Sequence, residues 1–370
     1  MSNTAITAIT MPKWGLSMVE GKVIEWLVEE NTTIAVGDEI MDIETEKIAN
    51  TFEALDSGVL KRKVAEPDQS LPIGALLGVL AESNISDEDI DTFIEDFQAN
   101  YSPPEILEGE ESETSYEWVE IDDYRIRYLR MGEGRRNIIL IHGFGGDLDR
   151  WLFTQGPLSA NASVYSLDLP GHGQSTKAIR DGSIAAMANI VTKFIDHIGV
   201  DHAHLVGHSL GGAIALQTTI SDPDKVDALS LIATAGIGVE INGSYISGFV
   251  QAESRREIKP LLQQLVGDPS LINRNLIDDI LKYKRLDGVT EALETIATKF
   301  MDRDQQTIDL RNHLASLSIP VHVIWGSADQ IIPASHAKNL PGNVNVDVLE
   351  GFGHLVQVEA AGEVNKLLQG

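Results

Sequence analysis

The chain has 370 residues, of which 43% are hydrophobic and 23% charged, a composition typical of a globular protein with one small and one larger domain. Its formal net charge of −28 argues against binding to nucleic acid or anionic lipid surfaces, because both are themselves anionic. Cysteine is absent, so disulfides and thiolate chemistry of the chain itself are excluded. No cationic start with a long apolar run and no stretch of membrane-spanning length is found, and we expect a cytoplasmic protein.

An internal repeat occupies the first eighty residues. The pair Gly21 and Gly37 recurs as Gly58 and Gly74, at an offset of 37 residues. The apolar residues that coincide at this offset are Leu27 with Val64, Ile34 with Leu71, Val36 with Ile73, Ile40 with Leu77 and Ile43 with Leu80. Short β-branched runs between Gly, Pro and Asp predict a small all-β unit of two similar halves, each too small to close a core alone.

Lys47 stands between the two halves, in the sequence Glu44-Thr45-Glu46-Lys47. A turn between two paired strands would place its amine at the tip of a hairpin. This arrangement resembles the lipoyl and biotinyl carrier domains over residues 1–81, in which the lysine at the turn carries the prosthetic group. An acidic residue before the lysine is typical of lipoyl carriers, so the resemblance implies a covalent lipoyl group on Lys47. The alternative is a solvated turn lysine beside two carboxylates.

Residues 82–115 read as an acidic linker, since no Lys or Arg occurs between Val64 and Tyr124. Ser86 is a candidate N-cap of a short amphipathic helix within it. The apolar stripe of that helix consists of Ile90, Phe93, Ile94 and Phe97. In one interpretation the stripe packs against the carrier or the catalytic domain, and in the other it docks a partner subunit.

Residues 116–370 alternate apolar strand-like runs with amphipathic helical segments, which predicts a mostly parallel sheet covered by helices. The predicted strands are Ile138–Ile141, Val164–Leu167, Ala203–Val206, Ala228–Ile232 and Val321–Trp325. No strong strand run appears between Gly236 and about Leu317. We expect a helical cap there, over about residues 236–317.

Ser209 is the predicted nucleophile. It lies in Gly207-His208-Ser209-Leu210-Gly211, directly after a predicted strand and before a helical run. A strand, tight turn and helix is the context of a nucleophile elbow, where glycines permit a strained turn that exposes the serine oxygen. The motif alone would be weak evidence, but its context favours nucleophilic catalysis.

A serine of this kind needs a base, and the base needs an acid that holds its tautomer. Asp329 follows the late strand and His354 lies near the C-terminus, which is the order of an α/β-hydrolase. We therefore predict the catalytic residues Ser209, Asp329 and His354. The loop after the first predicted strand, His142 to Gly146, together with the elbow, predicts the Phe144 and Leu210 amides as oxyanion-hole donors.

Three other motifs have structural or chance explanations that we favour over a functional one. The segment Asp168 to Ser175 is similar to a structural turn of α/β-hydrolases. His197 and Asp201 match the His-x-x-x-Asp signature of conventional dihydrolipoyl acyltransferases by chance. His202 and His204 lack a third ligand, and we predict no metal site.

The fusion of a carrier lysine with a serine nucleophile resembles the dihydrolipoyllysine acetyltransferase components of bacterial acetoin-cleaving systems over nearly the whole chain. That resemblance implies transfer of an acetyl group from acetyl-dihydrolipoyl-lysine to coenzyme A. It also implies a multienzyme complex with thiamine-dependent acetoin-cleaving subunits and a dihydrolipoyl dehydrogenase.

Two alternatives stay open at this point. Water in place of coenzyme A would make the protein a lipoyl-linked thioesterase that releases free acid. A fold of this type can also host binding without turnover, which would make the chain an acyl-carrier scaffold with an inactive hydrolase domain.

Overall fold

A computed structural model of the chain describes residues 6–14, 18–45, 49–82, 84–103 and 116–369. The chain divides into two compact units, residues 1–111 and 112–370, and each is described by itself. No helix within the described ranges is long and apolar enough to cross a membrane.

The first unit consists of two four-stranded antiparallel sheets over a shared apolar core. Its strands are β1 (Ile6–Thr10), β2 (Glu20–Trp26), β3 (Thr33–Ile34), β4 (Glu39–Glu44), β5 (Ala49–Glu53), β6 (Gly58–Lys63), β7 (Ser70–Pro72) and β8 (Leu76–Ala81). The strand orders are β1-β8-β6-β3 and β5-β4-β2-β7. Side chains from both sheets, such as Leu60 and Leu77 from one and Val23 and Met41 from the other, are fully buried between them.

The sequence repeat has a direct structural counterpart. At the offset of 37 residues β4 falls on β8, and β3 falls on β7. The short strand β3 pairs with β6 of the second half, while β7 pairs with β2 of the first. Each half therefore lends a strand to the sheet of the other, which is why neither half could close a core alone.

A single helix, α1 (Asp87–Asn100), follows β8 within this unit. The side chain of Ser86 caps its N-terminus by accepting a hydrogen bond from the Asp89 amide at 3.2 Å. Ile90 is fully buried in a cluster with Leu76 and Val79 of β8. The helix stripe thus packs on the carrier sheet, the first of the two interpretations of these residues, and the acids of α1 lie on its other faces.

The second unit is built on an eight-stranded sheet in the order β18-β17-β14-β13-β11-β12-β10-β9. Its strands are β9 (Tyr116–Ile121), β10 (Tyr124–Met131), β11 (Arg136–Ile141), β12 (Ala162–Leu167), β13 (Ala203–His208), β14 (Val226–Ile232), β17 (Val321–Gly326) and β18 (Val344–Leu349), and a two-residue hairpin, β15 (Met301–Asp302) with β16 (Gln305–Gln306), lies outside it. The six strands from β18 to β12 in this order pair in parallel. The strand β10 pairs antiparallel with both β12 and β9. The predicted fold class, an all-β lipoyl or biotinyl type domain followed by an α/β-hydrolase domain, is confirmed.

Helices cover this sheet and extend beyond one end of it. They are α2 (Leu152–Ser159), α3 (Ile184–His197), α4 (Leu210–Ser221), α5 (Gly243–Gln251), α6 (Arg255–Leu262), α7 (Arg274–Lys284), α8 (Val289–Phe300), α9 (Val356–Glu359) and α10 (Ala361–Gln369). The four helices α5 to α8 lie between β14 and β17 in the chain and form the cap. Their apolar faces are buried, for example through Phe249 and Phe300.

The segment after β12 is fixed by a buried ion pair. The Asp168 carboxylate accepts hydrogen bonds from the Arg127 Nε at 2.7 Å, the Leu148 amide at 2.9 Å and the Gln174 amide at 2.7 Å. The two charged side chains are 0% and 4% exposed. Asp168 therefore connects three segments of the chain through hydrogen bonds.

We expect Asp168→Asn to lower the free energy of unfolding by about 3 to 5 kcal/mol, because it removes the carboxylate that is hydrogen-bonded to the buried Arg127 guanidinium. Chemical denaturation at neutral pH measures this. The control is Asp123→Asn, which removes the exposed ion pair with Arg180 and should cost less than about 1 kcal/mol. Equal losses in the two variants would contradict the structural role of Asp168.

Candidate active site

Ser209 sits in a strained turn between β13 and α4. Its φ of 54° and ψ of −118° are rare for a residue with a side chain. A Cβ atom at Gly207 would lie 2.3 Å from the Gly211 carbonyl oxygen, and one at Gly211 would lie 2.2 Å from that of Ile141. Both glycines are thus required by close backbone approach, which is the physical basis of the elbow motif.

His354 lines the same cleft as Ser209 and is oriented by Asp329. The His354 Nδ1 and the Asp329 Oδ2 are 2.8 Å apart, and their side chains are 4% and 0% exposed. The other carboxylate oxygen accepts from the amides of Ile331 at 2.8 Å and Ile332 at 3.0 Å. With Nδ1 donating to Asp329, the Nε2 of neutral His354 is left free to take a proton.

The loop after β11 borders Ser209 on a second side. A Cβ atom at Gly143 would lie 3.0 Å from the Ser209 Cβ, so the loop backbone contacts the elbow closely. Phe144 lines the cleft, and Leu210 is the first residue of α4, where helix amides lack intrahelical acceptors. No described residue accepts a hydrogen bond from either amide. Neither N–H group is therefore engaged within the described part of the chain.

His208 is a residue of the site whose contact with His354 the sequence did not reveal. Its Nε2 donates to the backbone carbonyl of His354 at 2.9 Å, and the two rings are 4.8 Å apart. Burial, together with the neighbouring His354, lowers the pKa of His208 well below its ordinary value, so the ring stays neutral. His208 thus holds the loop that carries His354.

The cleft above Ser209 has about 460 Å³ of empty space, part of it open to solvent. Its walls are mainly apolar and come from the elbow, the loop after β11 and the cap. The residues of the cap that line it are Tyr245, Ile246, Phe249, Leu262 and Leu265. The Phe249 ring lies 6.2 Å from that of Phe144, and Phe144 in turn lies 5.7 Å from Phe300. An aromatic wall therefore closes the space next to the nucleophile.

We expect Phe249→Ala to extend the range of acyl groups accepted, because the deletion opens the aromatic wall. The ratio of kcat/KM for a hexanoyl thioester to that for an acetyl thioester should rise about tenfold, because the additional methylenes of the hexanoyl chain can then contact the apolar cleft. Tyr245→Phe, which keeps the ring volume, is the control and should leave the ratio unchanged. An unaltered chain-length profile in Phe249→Ala would show that this wall does not limit the acyl group.

Two further buried histidines support the loop after β11. The His142 Nδ1 donates to the Gly143 carbonyl at 2.8 Å, and its Nε2 accepts from the Leu169 amide at 3.0 Å. The His172 Nδ1 donates to the Pro170 carbonyl at 3.1 Å. Burial lowers the pKa of His142 to about 4 and that of His172 to about 3. Both rings are neutral in the folded protein.

This predicts a loss of stability in mild acid. Because the folded-state pKa values lie below the ordinary value of 6.5, the unfolded chain takes up protons first, and stability falls as the pH drops from 6.5 towards about 4. Each histidine contributes several kcal/mol to this loss, by about 1.4 kcal/mol per pKa unit. His172→Asn keeps a donor for Pro170 but cannot titrate, so its unfolding free energy should change less between pH 7 and pH 5. An identical pH dependence in both proteins would contradict this account.

The remaining predicted residues lie elsewhere. Lys47 lies outside the described residues; the strands β4 and β5 on either side of it in the chain pair antiparallel, with Glu44 opposite Ala49. His204 is buried and bonded to Ser230 at 2.9 Å, while His202 is exposed. Within the described ranges no group of three His, Asp or Glu side chains could hold a metal ion.

Both units match known families. The sequence model of biotin-requiring enzymes matches residues 7–80, and that of the alpha/beta hydrolase fold matches residues 136–361. The chain is thus an α/β-hydrolase-fold protein that carries a biotinyl or lipoyl type domain.

Relatives that match nearly the whole chain define its family more specifically. The dihydrolipoyllysine-residue acetyltransferase component of the acetoin cleaving system of Cupriavidus necator is 46% identical over 98% of this chain and 96% of its own length. The same component of Pseudomonas putida is 45% identical over 98% of this chain and 97% of its own length. The chain belongs to this family of acetyltransferase components, which confirms the resemblance stated from its motifs.

Two solved structures are similar to about two thirds of the chain. A bacterial membrane phospholipase A has a TM-score of 0.61 and 26% identity, covering 69% of this chain and 84% of its own. A meta-cleavage product hydrolase from Pseudomonas fluorescens has a TM-score of 0.61 and 24% identity, covering 66% and 93%. The second likeness shows the fold alone.

Proposed function

We propose that the chain transfers an acetyl group from acetyl-dihydrolipoyl-Lys47 to coenzyme A in acetoin catabolism. The observation that carries the proposal is the joining, on one chain, of a carrier-type domain to a cleft in which Ser209 and His354 lie together. The family of the chain supports the same reaction. Each part alone would leave the acyl donor or the chemistry open.

Lys47 is the proposed attachment site of the lipoyl group. The antiparallel pairing of β4 and β5, with Glu44 opposite Ala49, leaves a short connection of residues 45–48 that contains this lysine. A connection between paired strands suits a group that must reach a cleft in another domain. When bound there, the lipoyl group would present the acyl group as a thioester at high local concentration.

The proposed first step is acylation of the serine. His354 takes the proton of the Ser209 hydroxyl, and the oxygen attacks the thioester carbonyl carbon. The amides of Phe144 and Leu210 donate to the oxyanion. As the carbon–sulfur bond breaks, His354 returns the proton to the departing sulfur, and an acetyl ester remains on Ser209.

In the second step the coenzyme A thiol is the nucleophile and Ser209 is the leaving group. His354 takes the proton of the coenzyme A thiol, the sulfur attacks the acetyl ester, and the proton passes to the Ser209 oxygen as it leaves. The mainly apolar wall of the cleft disfavours water as the competing acceptor. Transfer to a thiol also conserves the thioester, which hydrolysis would lose.

The family implies partners for this reaction, since its members are components of an acetoin cleaving system. We propose a complex with thiamine-dependent acetoin-cleaving subunits that load the carrier and a dihydrolipoyl dehydrogenase that reoxidises it.

The experiment that tests the proposal measures two products. The full-length holoprotein is given acetyl-dihydrolipoamide with and without coenzyme A, and acetyl-coenzyme A and free acetate are quantified. We expect acetyl-coenzyme A as the main product and little acetate. Acetate release at a rate that coenzyme A does not affect would instead identify a thioesterase. Neither product, with no labelling of Ser209 by a serine-directed phosphonate, would identify a carrier scaffold.

A further inference from the structure

A second cleft lies in the cap, next to the catalytic one. It has about 950 Å³ of empty space, its open mouth included. The two clefts share helix α5: Phe249 lines the catalytic cleft, and Val250 and Gln251, which follow it, line the second. The Lys284 ammonium, which also lines the second cleft, lies 5.3 Å from the centre of the Phe249 ring. Phe249 and Lys284 are thus in contact, and each lines one of the two clefts.

Lys284 is an unusual residue for such a position. It is 9% exposed, and its ammonium donates to the Val250 carbonyl at 2.9 Å. Within the part of the chain that the structure describes, no carboxylate forms a direct ion pair with it, although the charge of Glu253, which lines the same cleft, acts on it from a greater distance. An ammonium has three donors, and burying one with donors unfilled costs free energy. The position is therefore suited to an anion supplied by a ligand.

Two further features of the cleft favour an anion. Arg285 lines it beside Lys284. The helix α8 begins there, with Gly288 as its N-cap and no side chain capping its amides, and Thr290 in its first turn lines the cleft. The Val289 amide donates to the Leu286 carbonyl at 3.2 Å, and the positive end of the helix dipole attracts phosphate. Two cations and a helix start thus meet in one cleft of a chain whose net charge is −28.

The cleft is not uniformly cationic, because Glu253 and Glu294 line it as well. Carboxylates accept hydrogen bonds from hydroxyl and amino groups, which a nucleoside has and a bare phosphate lacks. The mixture of cations and carboxylates suits a nucleotide better than an inorganic anion.

We propose that this cap cleft binds the phosphorylated nucleotide end of coenzyme A, with Lys284 and Arg285 on its phosphates. The thiol end of its flexible arm then reaches Ser209 past Phe249. The inference rests on the proposed function, because it assigns a site to the acceptor of that reaction. It also gives a strongly acidic protein a local cationic contact for a polyanionic substrate, in Lys284 and Arg285.

The test compares two acceptors in Lys284→Met and Arg285→Met. Coenzyme A carries the nucleotide, and pantetheine has the same thiol arm without it. With acetyl-dihydrolipoamide as donor, we expect the KM for coenzyme A to rise about tenfold in each variant, the loss expected for one charge-assisted hydrogen bond, with kcat nearly unchanged. The KM for pantetheine should stay as in the wild type. Lys299→Met, at an exposed position of α8, is the matched control and should change neither value.

Calorimetric titration with coenzyme A gives a second readout that does not need turnover. A wild-type protein that transfers acetyl groups while both variants keep its KM and Kd for coenzyme A would overturn the inference. An equal rise in the KM for coenzyme A and the KM for pantetheine in both variants would overturn the inference as well, because it would show a structural defect and not a lost phosphate contact. The wild type could also form no acetyl-coenzyme A and yet bind coenzyme A with an affinity that Lys284→Met lowers. In that case the proposed reaction would be wrong and the nucleotide site would stand. Arg285 is exposed, so its variant keeps the test valid where Lys284→Met folds poorly.

Discussion

Ser209→Ala is expected to lower acetyl transfer from acetyl-dihydrolipoamide to coenzyme A by about 10⁴-fold or more, the range found when a catalytic serine is removed. Without the hydroxyl no acetyl-serine forms, and the oxyanion donors and the cleft alone retain only a small part of the full rate enhancement. Steady-state rates of acetyl-coenzyme A formation measure the effect. The KM for the thioester should change little, because the cleft walls are intact.

The variant must be shown to keep its fold, since the Ser209 backbone has a positive φ of 54°. Alanine tolerates this conformation no better than serine, so thermal unfolding of both proteins is measured beside activity. His354→Gln should match the loss in rate, because the two residues act as one unit. A Ser209→Ala protein that folds and keeps more than about a tenth of the wild-type rate would rule out the serine route.

Lys47→Arg is expected to abolish transfer that starts on the chain's own carrier while leaving transfer from added acetyl-dihydrolipoamide intact. Arginine keeps the positive charge but cannot be acylated by lipoate. Loss of a tethered donor removes the gain from effective concentration, which reaches millimolar levels for short flexible links. The rate of coupled acetyl-coenzyme A formation should therefore fall by more than about 100-fold.

Lys61→Arg serves as the control for Lys47→Arg, since it lies in β6 of the same domain and outside the connection between β4 and β5. Its intact mass should show the lipoyl group, and its coupled rate should equal that of the wild type. If Lys47→Arg still gained the mass of a lipoyl group, the attachment site would lie on another lysine. If it lost the group but kept the coupled rate, the carrier role would be wrong.

Much of this molecule could be predicted from local sequence signals. The elbow is predictable because a Cβ at Gly207 or Gly211 would lie only 2.3 or 2.2 Å from a carbonyl oxygen, so both positions require glycine and keep a fixed spacing around Ser209. The repeat was found because β4 and β8 bury equivalent faces in one core. Buried parallel strands were found because both of their faces are apolar.

What was not predicted depends on contacts between distant segments. The contact of His208 with His354 joins residues 146 positions apart through a backbone carbonyl, which leaves no trace in side-chain pattern. The strand β18 lies at a sheet edge, and its sequence alternates valines with Asn345 and Asp347, so it lacks the continuous apolar run of a strand buried on both faces. The stripe of α1 was compatible with two partners, and only the packing of Ile90 on β8 decided between them.

The central claim is that the acetyl group passes through Ser209 on its way from the carrier to a thiol. Its most direct test is rapid quenching of the holoprotein after acetyl-dihydrolipoamide is added without coenzyme A, followed by peptide mapping by mass spectrometry. The account predicts an acetyl group on the peptide that contains Ser209, and its disappearance as acetyl-coenzyme A when coenzyme A is added. Formation of acetyl-coenzyme A at the full rate with the Ser209 peptide never acetylated would contradict it.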